Sequence, residues 1–236
     1  MGTALCKDQA DTRPRTVTGV AIGKVNVIGF FLNADSRALQ LYCRISGLDY
    51  EYVEINMLEG QHQTEEFKSA HPSLHLPIVQ DAYQSVYGST LIQMMHLANR
   101  YQKTEEKDRL SMHPNLAKLN NLFATFDQRI RPVTKRIRTM VIARKLGLRP
   151  APTDEQMNRE MKEFNDRILP MLNHQLEGKL YFCGQVTTGY DLQVFCEISS
   201  IKVFAEEVIA ESLVHHTNIT NWIKRIELID DVKELE

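Results

Sequence analysis

The fold is decided by the stretch Leu74-His75-Leu76-Pro77-Ile78-Val79-Gln80-Asp81, which is followed by Ser85-Val86-Tyr87-Gly88-Ser89-Thr90. The first part predicts a short strand entered through a proline, because proline lacks an amide hydrogen and favours sheet edges and tight turns, where its peptide bond can be cis. The second part predicts a hairpin return and a helix that opens near Ser89. We therefore expect outward-facing main-chain groups at Leu76 beside a helix amino terminus, which is a ready site for a carboxylate.

The residues before this stretch predict a strand, a helix and a second strand. Residues 25–32 form an apolar run, and Asn33-Ala34-Asp35-Ser36 ends it and can cap a helix that stops at Gly47. Residues 50–55 alternate as a second strand, and residues 58–69 predict a loop with a short helix. A right-handed crossover makes the two strands parallel in one small sheet.

The second half of the chain predicts helices only. An apolar stripe runs from Leu116 to Ile130 and is expected to be interrupted at Pro132, after which a second helical pattern ends before Gly147. The sequence Thr188-Gly189-Tyr190-Asp191 is a capping box in front of another apolar helix. We divide the chain into an extension (1–24), an α/β domain (25–102), a linker (103–112) and an all-helical domain (113–236).

The composition is that of an ordinary globular protein and argues against several classes of function. The chain has 236 residues, 43% of them hydrophobic, and a net charge of −2, which gives no general attraction to nucleic acid. No apolar run approaches the roughly 18 residues needed to span a bilayer. The four cysteines lack metal-ligand spacing, so we expect a reducing compartment and no metal site. Positive charge is concentrated in residues 129–149, which contain eight basic residues and no acid.

The amino-terminal residues carry weak targeting signals. They lack a secretory apolar segment and an acid-free basic helix, so secretion is not expected and a mitochondrial address is poorly supported. Met1-Gly2-Thr3-Ala4-Leu5-Cys6 comes near an N-myristoylation start, but a cleaved or disordered start is the favoured interpretation. We expect a cytoplasmic protein.

The order of these elements resembles a cytosolic glutathione S-transferase, theta-like, over about residues 25–230. The resemblance rests on the Asn33-Ala34-Asp35-Ser36-Arg37-Ala38 helix entry, Glu59-Gly60-Gln61-His62, the Leu76-Pro77 pair, Gly88-Ser89 and the capping box with Asp191. It implies a thioredoxin-like α/β domain that binds glutathione as co-substrate, followed by an all-α domain that supplies the cavity for a small electrophile. Homodimerisation is expected by the same analogy.

The resemblance carries over to some site residues and not to others. Leu76 matches the residue whose backbone pairs with the cysteinyl part of glutathione, Pro77 the cis-proline, Ser89 the hydroxyl that holds the γ-glutamyl carboxylate, and His62 a side chain that reaches the glycyl end. Three positions depart from the family pattern: Asn33 stands where theta-like enzymes place the catalytic serine, Gly88 replaces an acid, and His75 replaces a lysine.

Each of these residues also has a purely structural interpretation. Asn33 is either the catalytic group that donates to the thiolate or a helix cap without chemistry. Ser36 is a substitute donor or first-turn surface, and His62 and His75 are ligands or solvated loop residues. The basic 129–149 block is a solvated helix face, a wall that attracts anionic ligands or a docking surface. Arg131 is the member expected nearest the cleft.

Two functions therefore remain open. The first is a glutathione transferase or glutathione-dependent peroxidase with weakened activity. The alternative is a catalytically impaired transferase fold that serves as a structural or assembly subunit of a larger complex, docking through the basic block. A Cys-x-x-Cys pair is replaced by Asn33-Ala34-Asp35-Ser36, so disulfide exchange through this motif is excluded.

Overall fold

A computed structural model describes residues 25–101, 116–203 and 205–235. The predicted extension 1–24 and linker 103–112 lie outside the described residues. The strands are β1 (Val25–Gly29), β2 (Tyr50–Glu54), β3 (Ile78–Gln80) and β4 (Ser85–Val86). They form one sheet in the order β2-β1-β3-β4.

The sheet pairing confirms the crossover prediction. Strand β1 pairs in parallel with β2, with Val25 opposite Tyr50 and Gly29 opposite Glu54. Strand β3 is antiparallel to β1 and to β4, which is the hairpin return expected after Pro77. The first apolar run is shorter as a strand than predicted, because the chain leaves the sheet after Gly29 and Phe31 is half exposed.

Three helices belong to this α/β region: α1 (Ala34–Ile45), α2 (Glu65–Ala70) and α3 (Thr90–Tyr101). Asn33 caps α1 by accepting a hydrogen bond from the Asp35 amide at 2.8 Å, as its position predicts. A small apolar cluster of Ile28, Phe67 and Ile78 holds α2 to one face of the sheet, and the Leu76 side chain packs against it. This packing fixes the turn that precedes β3.

The second half is all helical. Its helices are α4 (Leu116–Thr125), α5 (Arg131–Lys145), α6 (Asp154–Glu163), α7 (Leu169–Gln175), α8 (Gly189–Lys202), α9 (Glu206–Leu213), α10 (Thr217–Glu227) and α11 (Asp230–Lys233). Helix α8 is buried on nearly all sides and packs against α1. The core of the α/β region and that of the helices are therefore continuous. Within the described residues, none of the helices combines the length and the apolarity that a membrane crossing requires.

The predicted interruption at Pro132 is wrong. A wide π-type turn, Phe126–Ile130, joins α4 to α5, and the helical path continues through the proline. A second π-type turn, Phe164–Ile168, joins α6 to α7 in the same way before Pro170. Both turns have the sequence Phe-x-x-Arg-Ile-x-Pro. A wide turn shifts the hydrogen-bond register just before the proline, where an ordinary helix would lose a bond.

The predicted capping box is present and buried. The Asp191 carboxylate accepts hydrogen bonds from the Thr188 amide at 2.9 Å and from the Thr188 hydroxyl at 2.6 Å. Its other oxygen accepts from the Phe182 amide and from Trp222 Nε1, each at 3.0 Å. Asp191 therefore joins the start of α8 to α10 and to the loop before α8.

Candidate functional site

The turn before β3 leaves one main-chain donor available. The Leu76–Pro77 peptide bond is cis. Among the described residues nothing accepts a hydrogen bond from the Leu76 amide. The Leu76 carbonyl accepts one from Asn33 Nδ2 at 3.2 Å, so it is not free as expected, although a carbonyl oxygen has a second lone pair.

The mouth of α3 lies directly after β4. Gly88 has φ = 105°, a left-handed conformation that glycine adopts without strain, and Ser89 follows it at the helix entry. In the part of the chain that the structure describes, no side chain accepts a hydrogen bond from the Ser89 or Thr90 amide. The Thr90 hydroxyl is buried and has no hydrogen-bond partner among these residues. The helix mouth is thus open to an anionic group.

Gln93 holds these two features together, and sequence reasoning missed it. Its side chain is fully buried, and its Nε2 donates to the Pro77 carbonyl at 2.9 Å and to the Gly88 carbonyl at 3.1 Å. One amide group therefore joins the proline turn to the helix mouth. Gln93 lies one helical turn after Ser89, and nothing in that spacing predicts its contacts with Pro77 and Gly88.

Asn33 makes two contacts that fix its orientation. Its Oδ1 accepts from the Asp35 amide while its Nδ2 donates to the Leu76 carbonyl. Rotating the amide by half a turn would set oxygen against oxygen and NH₂ against N–H, so this assignment is the consistent one. An amide NH₂ carries two hydrogens, and one of them remains for a ligand at this place.

Ser36 is neither a substitute donor nor surface, contrary to both interpretations of the sequence. It is fully buried, and its hydroxyl accepts a hydrogen bond from the Phe30 amide at 3.2 Å. A Cβ at Gly29 would lie 2.7 Å from this hydroxyl, so Gly29 is required for the close approach. Ser36 therefore shapes the loop between β1 and α1 from inside.

The two candidate histidines lie in different surroundings. His62 is half-buried in a short turn after β2, and its Nδ1 is buried without a partner among the described residues. His75 is exposed and follows Leu74, which has φ = 53°. His75 thus matches the solvated-loop interpretation, whereas His62 carries an unused nitrogen.

Arg131 lies between the two halves of the chain. It forms an ion pair with Asp35, in the first turn of α1, and its Nε donates to Asp127 at 2.9 Å. Its guanidinium also lies 4.8 Å from the centre of the Phe126 ring. Burial alone would lower the pKa of Arg131, but the neighbouring carboxylates raise it above its usual value, so it stays charged.

A larger polar cluster continues from this pair into α8. Gln193 donates to the other Asp35 oxygen at 2.7 Å. Glu197, whose side chain is 1% exposed, accepts from Thr134 at 2.7 Å and from Arg138 at 2.9 Å. Burial raises the pKa of Glu197, and Arg138 acts against that shift. These charges pair across the junction of α1, α5 and α8.

The basic 129–149 block divides into two groups. Four of its members form ion pairs within the protein: Arg131, Arg136, Arg138 and Arg144. The other four are exposed and form no ion pair within residues 25–101, 116–203 and 205–235: Arg129, Lys135, Lys145 and Arg149. Half of the block is thus paired with acids of the fold.

Two family patterns match the chain. The pattern described as "Glutathione S-transferase, N-terminal domain" matches residues 25–99, and "Glutathione S-transferase, C-terminal domain" matches residues 91–229. The chain belongs to the glutathione S-transferase family. Its fold is the one that the resemblance implied: a thioredoxin-like α/β region with a small sheet, followed by helices.

Individual family members are distant in sequence. A zeta-class glutathione S-transferase of Euphorbia esula is 31% identical over 78 residues, which cover 33% of this chain and 34% of that relative. Glutathione S-transferase T1 of Arabidopsis thaliana is 22% identical, over 85% of this chain and 82% of that relative. The match to Glutathione S-transferase T3 of the same plant covers 34% of its length. The chain therefore spans about a third of two of these three relatives.

Solved structures of the family share the fold. A glutathione S-transferase-I bound with lactoylglutathione has a TM-score of 0.74 at 17% identity, covering 90% of this chain and 98% of that one. A delta-class glutathione transferase of Nilaparvata lugens has a TM-score of 0.72 at 22% identity, covering 90% and 92%. At these identities the likeness is one of fold.

Proposed function

We propose that this protein binds glutathione at the Leu76–Pro77 turn and the mouth of α3, and conjugates or reduces small electrophiles with it. The observation that carries the proposal is the Leu76 amide, which has no acceptor among the described residues and lies beside a helix amino terminus, in a member of the glutathione S-transferase family. The residues fit the ligand: Leu76 offers a main-chain donor for the cysteinyl part, and Ser89 with the α3 amides suits the γ-glutamyl carboxylate.

The chemistry requires the glutathione thiol as a thiolate. A free thiol has a pKa near about 8.5 and is mostly protonated at neutral pH. The second Nδ2 hydrogen of Asn33 can donate to the sulfur and favour the charged form. The sulfur then forms a bond to the electrophilic carbon, the leaving group departs with its electron pair, and the thiol proton has passed to solvent beforehand. Asn33 is thus the catalytic residue of the proposal.

We expect the affinity to be low. Gly88 provides no carboxylate for the γ-glutamyl ammonium, and the lost charge-assisted hydrogen bond is worth about 1.5–3 kcal/mol, or about one to two decades. His62, with its unused Nδ1, remains the candidate for the glycyl end, whereas His75 is a weak one because it is exposed. A theta-like, cytoplasmic homodimer remains part of this proposal.

A second candidate function has one observation in its favour. Four exposed basic residues of the 129–149 block form no ion pair within the described part of the chain, and they leave a cationic surface on α5 and its neighbours. Such a surface suits an acidic protein partner, so a weakly active or inactive assembly subunit is the alternative. The absence of glutathione binding would favour it.

Calorimetric titration with glutathione tests the first candidate. We expect a dissociation constant between about 100 μM and a few millimolar, weakened about ten- to a hundredfold by Ser89→Ala because a hydrogen bond to a charged group is lost. Asn33→Asp keeps the α1 cap but has no N–H, so we expect it to lower the conjugation kcat at least about tenfold. Asn33→Ser, which keeps both a cap and a donor, should retain most of the kcat.

Ser73→Ala is the matched control, because Ser73 is exposed in the loop just before Leu74. It should leave the affinity unchanged. No heat at several millimolar glutathione would reject the binding proposal and favour the assembly subunit. Equal turnover by the wild type, Asn33→Asp and Asn33→Ser would remove the catalytic role from Asn33.

A further inference from the structure

Gln93 donates both of its side-chain amide hydrogens to main-chain carbonyls that belong to separate turns. Its Nε2 lies 2.9 Å from the Pro77 carbonyl oxygen and 3.1 Å from the Gly88 carbonyl oxygen. An amide NH₂ has two hydrogens, so each carbonyl receives one of them. Rotating the amide by half a turn would set its oxygen against both carbonyl oxygens, so this orientation is the consistent one.

The other atom of this amide indicates that Gln93 is not there for packing. Its Oε1 is buried and has no hydrogen-bond partner among the described residues. A buried oxygen without a partner destabilises a protein, so burial alone would favour an apolar side chain of similar size, such as methionine. What glutamine adds at this position is the pair of donated hydrogen bonds. The role of Gln93 therefore lies in the carbonyls that its amide holds.

The Gly88 carbonyl depends on Gln93 for its orientation. Within the described part of the chain, no other group donates a hydrogen bond to it, and glycine leaves the backbone here free to rotate. The Gly88–Ser89 peptide bond is trans, and in a trans peptide the carbonyl and the following N–H point in opposite directions. Because Gln93 holds the carbonyl, the Ser89 N–H points away from Gln93.

The turn at Pro77 has additional support. Asn33 donates to the Leu76 carbonyl at 3.2 Å, and β3 pairs with β1 directly after the proline. Loss of the Gln93 amide would therefore leave the Leu76 amide largely in place. The same loss would free the peptide that carries the Ser89 N–H.

We propose that Gln93 is a positioning residue, whose buried amide fixes the Gly88–Ser89 peptide so that the Ser89 main-chain N–H is held ready for the γ-glutamyl carboxylate. This inference rests on the proposed glutathione site and assigns it a residue that touches no part of the ligand. Gln93 acts through the peptide unit that it holds. The Pro77 hydrogen bond ties the same amide to the turn that offers the Leu76 N–H.

Calorimetry and NMR titration of the ¹⁵N-labelled full chain with glutathione test this role in Gln93→Met. Methionine has a similar length and no donor. We expect the affinity to fall about three- to tenfold, because the Ser89 amide would adopt the binding orientation only part of the time. The Ser89 amide signal should lose most of its ligand-induced shift, extrapolated to saturation, while the Leu76 signal keeps its shift. Gln93→Glu, which keeps the shape but has no side-chain N–H, should behave in the same way.

Two further measurements separate positioning from a general loss of stability. Gln175→Met is the matched control, because the Gln175 Oε1 is also buried without a partner among the described residues but lies on α7. It should leave the affinity and both amide shifts unchanged. In the wild type without ligand, both Nε2 hydrogens of Gln93 should exchange slowly with water, since both are donated inside the protein.

The outcomes distinguish this role from the glutathione site itself. A wild-type chain that binds no glutathione would reject the site, and the role of Gln93 with it. A wild type that binds, with an unreduced Ser89 shift in Gln93→Met, would reject the role of Gln93 alone. So would equal loss of the Leu76 and Ser89 shifts, or rapid exchange of the Gln93 side-chain hydrogens in the wild type.

Discussion

Replacing Asp191 with alanine is expected to lower the free energy of unfolding by about 3–5 kcal/mol, and to leave a large part of the chain unfolded at 37 °C. The carboxylate accepts four hydrogen bonds, from Phe182, Thr188 and Trp222, and it is fully buried. Alanine would leave all four donors without acceptors, in a place that water cannot reach. Urea unfolding followed by Trp222 fluorescence and by circular dichroism measures the change.

The control for this prediction is Asp154→Ala. Asp154 is also an acid in the first turn of a helix, but its side chain is 91% exposed and pairs with Arg144 at the surface. We expect a change below about 0.5 kcal/mol. Equal stability loss in the two variants would contradict a special role for the buried capping box.

The second large effect is expected at Arg131. Arg131→Met should lower the free energy of unfolding by about 3 kcal/mol, since it leaves Asp35 partly buried, with Gln193 as its only side-chain partner among the described residues and with Glu197 nearby. The double variant Asp35→Asn with Arg131→Met removes both charges, and should recover about half of the loss. Chemical denaturation of the two single variants and the double variant measures this coupling.

Arg144→Met provides the comparison. Arg144 lies on the same helix as Arg131, but its ion pair with Asp154 is exposed, so the expected change is within about 0.5 kcal/mol. A coupling free energy near zero between Asp35 and Arg131 would mean that their contact does not hold α1 to α5. Arg131 would then be available for the ligand or docking role that its sequence position indicated.

Local signals in the sequence are sufficient to predict the strands, most of the helices and the helix caps. Asn33 ends an apolar run and precedes a helical pattern, so its capping role can be predicted from its near neighbours in the sequence. Thr188 and Asp191 have the spacing of a capping box. The proline in Leu76-Pro77 is itself the signal for the turn before β3. In each of these cases the interacting groups lie close together in the chain.

The parts that sequence reasoning missed depend on distant contacts. Gln93 reaches back 16 residues to Pro77, and Gln193 lies 158 residues from Asp35. Nothing in the periodicity of α3 or α8 marks these side chains, since both fall at ordinary buried positions. The interruption predicted at Pro132 is wrong for another reason: a proline inside a helical pattern normally ends the helix. The repeated Phe-x-x-Arg-Ile-x-Pro sequence was the available signal that both prolines follow a wide turn.

The most direct test of the proposed glutathione site is an NMR titration of the ¹⁵N-labelled chain with glutathione. We expect the amide signals of Leu76, Ser89 and Thr90 to shift together, with one dissociation constant, while those of Lys202 and Val203 at the end of α8 stay in place. Shifts confined to the end of α8, or none at several millimolar glutathione, would contradict the proposal that main-chain groups beside Pro77 and the mouth of α3 hold the tripeptide.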